Sequence, residues 1–251
     1  MGTSKMASAR LALAAVGISC VVLLSSFGTA AATGKTGRIT VYWGQTSSEG
    51  SLHKACQSNL YSAVILSFLT KFGHGSYKLD LTGHSWSAVG PDIKYCQSKN
   101  ILVLLAIGGG FGDYSLASKA DAKAVADHIW DVYLGGHSKS RPFGDAALET
   151  GLFDRVHVQF YNNPVCSYRS SNVEAFTKAW QRWTRSFPRS SVYLGLPASP
   201  RAAGSGYVEP ATLVSKVLPI VRRSKNYGGI MLWSRYWDLQ TGYSRAVKHA
   251  V

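Results

Sequence analysis

The sequence predicts an α/β fold: short parallel strands alternating with amphipathic helices, in six β/α units arranged as a barrel. Three observations carry this reading. Six short apolar runs recur along the chain, each followed by a stretch with helical spacing. Such strict alternation is the pattern of a parallel sheet with crossover helices. Two of the runs are apolar throughout, as strands buried on both faces are. Aromatic residues also gather at the strand ends, where a β/α barrel builds its site.

The first strand is "GRITVYW" (37–43), with β-branched and aromatic residues throughout. The second and third, "SAVILSFL" (62–69) and "ILVLLAI" (101–107), are the continuous apolar runs. "RVHVQFY" (155–161), "SVYLGL" (191–196) and "GGIMLW" (228–233) follow. Helices are predicted over 51–58, 87–99, 119–134, 172–186 and 210–223, with a last one after Thr241. In 119–134, Ala122, Val125, Ala126, Ile129 and Val132 share one face. Pro210 suits the first turn of its helix.

An open dinucleotide-binding sheet is the competing architecture. Its first strand should lead into Gly-x-Gly-x-x-Gly, and here that turn is "GQTSSEG". "GGGFGD" (108–113) ends in Asp113 where the last glycine would stand, and it lacks the Lys-Ser/Thr of a phosphate loop. Neither a nucleotide nor another cofactor is expected.

The N-terminus reads as a secretory leader: Lys5 and Arg10, an apolar run over 11–24, then small residues over 28–34. Cleavage is expected near Ala32, leaving 33–251 as one domain of 219 residues, secreted and clear of the membrane. Removing Lys5 and Arg10 from the 27 basic residues leaves 25 against 13 acidic ones, a net charge near +12. The cations are scattered and no nucleic-acid motif accompanies them, so no nucleic-acid partner is expected. Beyond solubility, such charge suits anionic cell-wall material or an acidic protein. With Cys20 in the leader, Cys56, Cys96 and Cys166 remain. An odd number in an exported chain leaves one thiol over. No metal site is expected, since neither Cys-x-x-Cys nor His-Glu-x-x-His occurs.

Tyr42, Trp43, Phe68, Tyr161 and Trp233 stand at or near strand ends. Flat apolar faces with polar tips match the C–H faces and hydroxyl rims of sugars, so this rim fits a carbohydrate groove. A sugar hydrolase also needs a carboxylic acid beside the scissile oxygen. Asp145 and Glu149, four apart, are a tempting pair, but with Asp154 they precede a strand and so lie at the wrong end of a barrel. Glu49, Asp80, Asp113 and Asp238 fall in loops after strands, and the remaining acids on or beside helices. None stands on a strand end, so no catalytic residue is assigned.

Seven motifs then align with a known family: "ITVYWGQ", "FLTKFG", "LAIGGGFGDYSL", "RPFGDAAL", "TGLFDRVHVQFYNNP", "LGLPASP" and "YGGIMLWSRYWD". They resemble plant class III chitinases, family-18 glycoside hydrolases with an eight-stranded β/α barrel. "GHSWSAVGPDIKYCQSK" and "NYGGIMLWSRYWDLQTGYS" resemble equally the cereal xylanase inhibitors of the same family. The resemblance spans nearly the whole mature chain.

The family's hallmark is an Asp-Gly-x-Asp-x-Asp-x-Glu fourth strand whose last Glu is the general acid, with the substrate's acetamido oxygen as nucleophile. A run like "RPFGDAAL" leads into that strand, whereas here Leu148 is followed by "ETGLFDRV", which resembles the approach to the sixth. The resemblance thus implies an incomplete barrel, six units instead of eight, lacking the fourth and fifth. At typical barrel dimensions that is roughly 60 residues. It implies a Cys56–Cys96 disulfide, and that the disulfide partner of Cys166 lay in the absent segment. It also implies that Tyr42, Phe68, Asp80, Gln159, Tyr161 and Trp233 line sugar sites, with Tyr161 facing the acetamido group in a supporting role.

The expected function is a secreted chitinase-like protein, apoplastic or vacuolar, that meets chitin or N-acetylglucosamine oligosaccharides without the general acid. The alternatives are an inhibitor of microbial xylanases and a chitin-binding lectin. The deletion would also leave sheet edges at 101–107 and 155–161 unless those strands pair with each other.

Overall fold

A computed structural model describes residues 22–25, 38–149 and 154–251. The expected cleavage point at Ala32 and most of the leader lie outside the described residues. The strands are β1 (Val22–Ser25), β2 (Arg38–Trp43), β3 (Ala63–Phe72), β4 (Lys78–Leu79), β5 (Leu102–Ile107), β6 (Asp113–Tyr114), β7 (Arg155–Gln159), β8 (Ser191–Pro197) and β9 (Tyr227–Trp233). The helices are α1 (Leu52–Gln57), α2 (Trp86–Ser98), α3 (Lys119–Tyr133), α4 (Val173–Ser186), α5 (Pro210–Thr212), α6 (Leu218–Val221), α7 (Arg235–Thr241) and α8 (Tyr243–Val247).

The fold is mixed α/β, with one curled sheet that forms a half-barrel. Parallel pairing runs β5-β3-β2-β9-β8-β7. All six strands read from the sequence are therefore present, within a residue or two at most ends. β3 is the exception. It continues to Phe72, past the expected end at residue 69, because β4 and β6 pair with its last residues.

Side-chain alternation divides the core into two layers. Ile39, Val41 and Trp43 of β2, with Val64 and Leu66 of β3, pack outward against the helices. Tyr42, Ala63, Ile65, Leu104, Ala106, Tyr193 and Met231 point the other way, into a smaller inner cluster joined by Phe68 and Trp233.

The two strands flanking the expected deletion, β5 and β7, do not pair with each other. β5 bonds to β3, while β7 bonds to β8 and, antiparallel, to β1. Strand number, tilt and shear are coupled in a barrel, and the half-barrel keeps the curvature of its parallel pairs instead of closing. Near the start of β5 the edge is covered locally. The Val103 N–H donates to Glu149 Oε2 at 2.6 Å, and the Glu149 N–H donates to the Val103 carbonyl at 3.2 Å. A carboxylate here takes the place of a neighbouring strand.

Two loop assignments change. Asp113 lies in the short strand β6 and pairs with Lys71 at 3.1 Å. Asp238 lies on α7, a helix the apolar pattern did not reveal, because the residues it buries are polar: Arg235 and Asp238. The Asp238 carboxylate accepts from the Tyr61 hydroxyl, from the Ser244 N–H at 2.7 Å and from the Ser244 hydroxyl at 2.6 Å. Burial, then the Asp238 charge, pushes the Tyr61 phenol well up, so it remains a donor.

Cys56 and Cys96 form a disulfide that ties α1 to α2. Cys166 is a buried thiol, and its N–H donates to the Asn163 carbonyl at 3.0 Å.

Candidate functional site

Three of the expected residues form one aromatic cluster at the C-terminal ends of adjacent strands. Tyr42 is the next-to-last residue of β2, Trp233 ends β9, and Phe68 sits where the β3–β5 register shifts. The Tyr42 ring meets Trp233 edge-on at 5.2 Å and Phe68 at 5.7 Å, and Phe68 lies 5.8 Å from Trp233. These are the separations at which aromatic pairs attract. Tyr42 is buried, whereas Phe68 and Trp233 are partly buried and pack against the same inner cluster. The peptide bonds Ser67–Phe68 and Trp233–Ser234 are cis.

Tyr161 joins from beyond β7. Its charge would add to the burial that holds the Tyr42 phenol far above its ordinary range. Burial likewise pushes the Tyr161 phenol up. Both therefore stay protonated, as neutral donors in an apolar setting. The Gln159 amide donates to the Tyr161 carbonyl at 3.0 Å and so holds the turn that carries the ring. Gly206 backs this turn: a Cβ there would fall 2.6 Å from Tyr161 Cα, at a φ of +88° that disfavours other residues.

Asp80 is tied to the cluster through the backbone. It exchanges two 2.8 Å hydrogen bonds with Phe68. Its Oδ1 accepts from the Thr82 N–H at 2.9 Å and the Thr82 hydroxyl at 3.0 Å. Asp80 thus shares the neighbourhood of Phe68, while Gln159 and Tyr161 stand together at the end of β7.

Gln45 was not anticipated there. Its amide donates to the Ser67 carbonyl at 2.7 Å, which puts it beside Phe68. The available signal was a polar residue two positions past the strand in "YWGQ". Gly109 also flanks the ring, since a Cβ there would sit 3.4 Å from Phe68 Cγ.

All thirteen acids fall among the described residues, so the search for a general acid covers every candidate. Glu49 is buried and spent on its own loop. Its Oε1 accepts from the N–H groups of Gly44, Gln45 and Thr46 at 2.8–2.9 Å, and His84 Nε2 lies 3.5 Å away. Asp145 pairs with Lys94 at 2.6 Å on the surface, and that ammonium holds its carboxyl below the usual range. Glu149 bonds to Val103 and Gln97 at the start of β5, about 13 Å of strand from the end that meets Phe68. Neither member of that tempting pair reaches the cluster. Asp80 does, with one oxygen already occupied by Thr82.

The comparisons with known proteins agree with this geometry. No family model matches the chain. An acidic endochitinase of Arabidopsis thaliana is 39% identical over 273 residues, covering 86% of this chain and 90% of that protein. Xylanase inhibitor protein 1 of rice is 38% identical over 278 residues, covering 88% and 91%. The crystal structure of a chitinase from Ipomoea carnea superposes with a TM-score of 0.80 at 36% identity, covering 86% of this chain and all of that one.

The chain belongs to the plant chitinase and xylanase-inhibitor group of glycoside hydrolase family 18. It is a chitinase-like protein.

One number in the Arabidopsis alignment bears on the site. It is 273 positions long but uses 86% of this 251-residue chain, about 216 residues, so about 57 positions face gaps here. That is close to two β/α units of a typical barrel. Among the described residues no group of three or more His, Cys, Asp or Glu could hold a metal ion. None of the described helices is long and apolar enough to cross a membrane.

Proposed function

We propose that this family-18 protein binds N-acetylglucosamine oligosaccharides in the Tyr42–Phe68–Trp233 groove without hydrolysing them. In this reading residues 1–32 are a secretory leader, and 33–251 are a barrel lacking its fourth and fifth units, secreted to the apoplast or vacuole. The carrying observation is the contrast between the two halves of a glycosidase site. The aromatic platform is assembled, with Asp80 bonded to Phe68 beside it, while Glu49, Asp145 and Glu149 are engaged elsewhere. A positioned general acid is typically worth ~10²–10⁴-fold in rate, so a platform without one retains affinity and loses turnover.

Two measurements on the purified chain test this together: titration with chitohexaose by calorimetry, and release of reducing ends from glycol chitin. Binding without hydrolysis is the expected result. Turnover comparable to that of an intact plant endochitinase would overturn the reading, as would the absence of binding.

A second reading, inhibition of microbial xylanases, is supported by the likeness to the rice inhibitor. It requires no groove acid. Loss of xylanase activity at micromolar chain would favour it.

A further inference from the structure

We propose that the solvent face of α4 is a binding strip for a linear polyuronate, a sugar polymer carrying one carboxylate per ring. Lys178, Arg182 and Arg185 on the helix, and Arg189 just beyond it, are spaced 4, 3 and 4 residues apart. At 3.6 residues per turn this spacing places the three helical cations on one face. The buried Phe176, Trp180 and Thr184 define the opposite face, which packs on the core.

The strip is all cation and neutral polar group. Lys178, Gln181, Arg182, Arg185 and Ser186 line a shallow depression, and all five are exposed. Steps of three or four residues along a helix are about 4.5–6 Å, close to the length of one sugar ring. Successive cations therefore meet successive carboxylates, while Gln181 and Ser186 offer bonds to hydroxyls. One acid is nearby: Glu174 pairs with Lys178 at 2.6 Å. Among the described residues Arg182, Arg185 and Arg189 have no ion-pair partner, so a net positive row is left.

The composition of the strip decides between polyanions. It offers no aromatic face on which bases could stack, as single-stranded nucleic-acid sites do. It has no apolar wedge for a membrane surface. It also lacks the buried aromatic anchor around which protein interfaces concentrate their energy. A hydroxylated polyanion fits what remains.

The test immobilises polygalacturonate and measures binding of the full chain at low and high salt. Fully methyl-esterified polymer of the same backbone and double-stranded DNA serve as comparators. Salt-sensitive binding to the free acid is expected, with little to the ester and weaker binding to DNA. R182E/R185E should lower affinity at least tenfold while leaving the melting temperature and chitohexaose binding unchanged. R182Q/R185Q, which removes charge without reversing it, should lower it several-fold and serves if the first variant does not fold. Wild-type affinity in a folded variant, equal binding to the ester, or DNA binding as tight as polygalacturonate would each overturn the proposal.

Discussion

Trp233→Ala is the substitution that separates a sugar platform from mere packing. The indole makes two ring contacts, with Tyr42 at 5.2 Å and Phe68 at 5.8 Å, and is only half-buried. Truncating a fully buried large aromatic costs about 3–5 kcal/mol. With part of that surface already in water the cost should be ~2–3 kcal/mol, or about 4–12 °C in Tm for a chain of this size. The protein should therefore still fold at room temperature. Loss of an aromatic anchor from a binding hot spot costs at least about 2 kcal/mol, about 30-fold in Kd. Calorimetry with chitohexaose measures the second number and a thermal melt the first. Trp233→Phe keeps a ring in place and should recover part of both. A folded Trp233→Ala chain whose Kd stays within about twofold of wild type, against the 30-fold expected, would refute the assignment and leave Trp233 a packing residue.

Three further outcomes follow from the frame. Tyr61→Phe removes a hydrogen bond to the buried Asp238 carboxylate and should cost about 1.5–3 kcal/mol in urea unfolding; a cost near zero would mean the carboxylate is satisfied without it. Replacing both Cys56 and Cys96 by Ser opens a link across a 40-residue separation, and the chain-entropy relation puts the loss at about 4 kcal/mol, also read by urea. Glu149 gives a pH signature: burial, its largest influence, raises its carboxyl above 4.5, against the bonds from Val103 and Gln97. A raised carboxyl contributes stability while protonated and loses it as pH rises through the folded-state value. The Tm of Glu149→Gln minus that of wild type should thus increase as pH is taken upward from 4.5; a flat difference would remove Glu149 from the pH response.

Much of this frame was legible from residue pattern alone, because strands buried on both faces announce themselves as apolar runs. The 62–69 and 101–107 runs became β3 and β5 within the reach of that signal. Helix α7 was not legible, since its inward residues are Arg235 and Asp238 and its apolar periodicity is inverted. β4 and β6 were not legible either. Each is two residues long and exists through pairing with the far end of β3. In the site, the aromatic residues could be read from position along their strands. Gln45 could not, because its place depends on a hydrogen bond to Ser67, 22 residues away.

What holds the aromatic cluster together? Tyr42, Phe68 and Trp233 come from β2, β3 and β9, which are contiguous in the sheet in the order β9-β2-β3. Their rings pack on one another, so each helps to hold the other two. The inner layer beneath them, Ala63, Ile65 and Met231, comes from the same strands or their neighbours. From the stretch between β5 and β7, where the resemblance puts the catalytic strand, Gly109 flanks the Phe68 ring, while the ring contacts themselves are made among β2, β3 and β9. Gln159 ends β7 and Tyr161 follows it, and β7 is joined to β9 through β8 around the other limb of the sheet. The aromatic cluster is therefore carried by strands other than the one on which the family resemblance places the general acid, and its ring contacts are made among β2, β3 and β9.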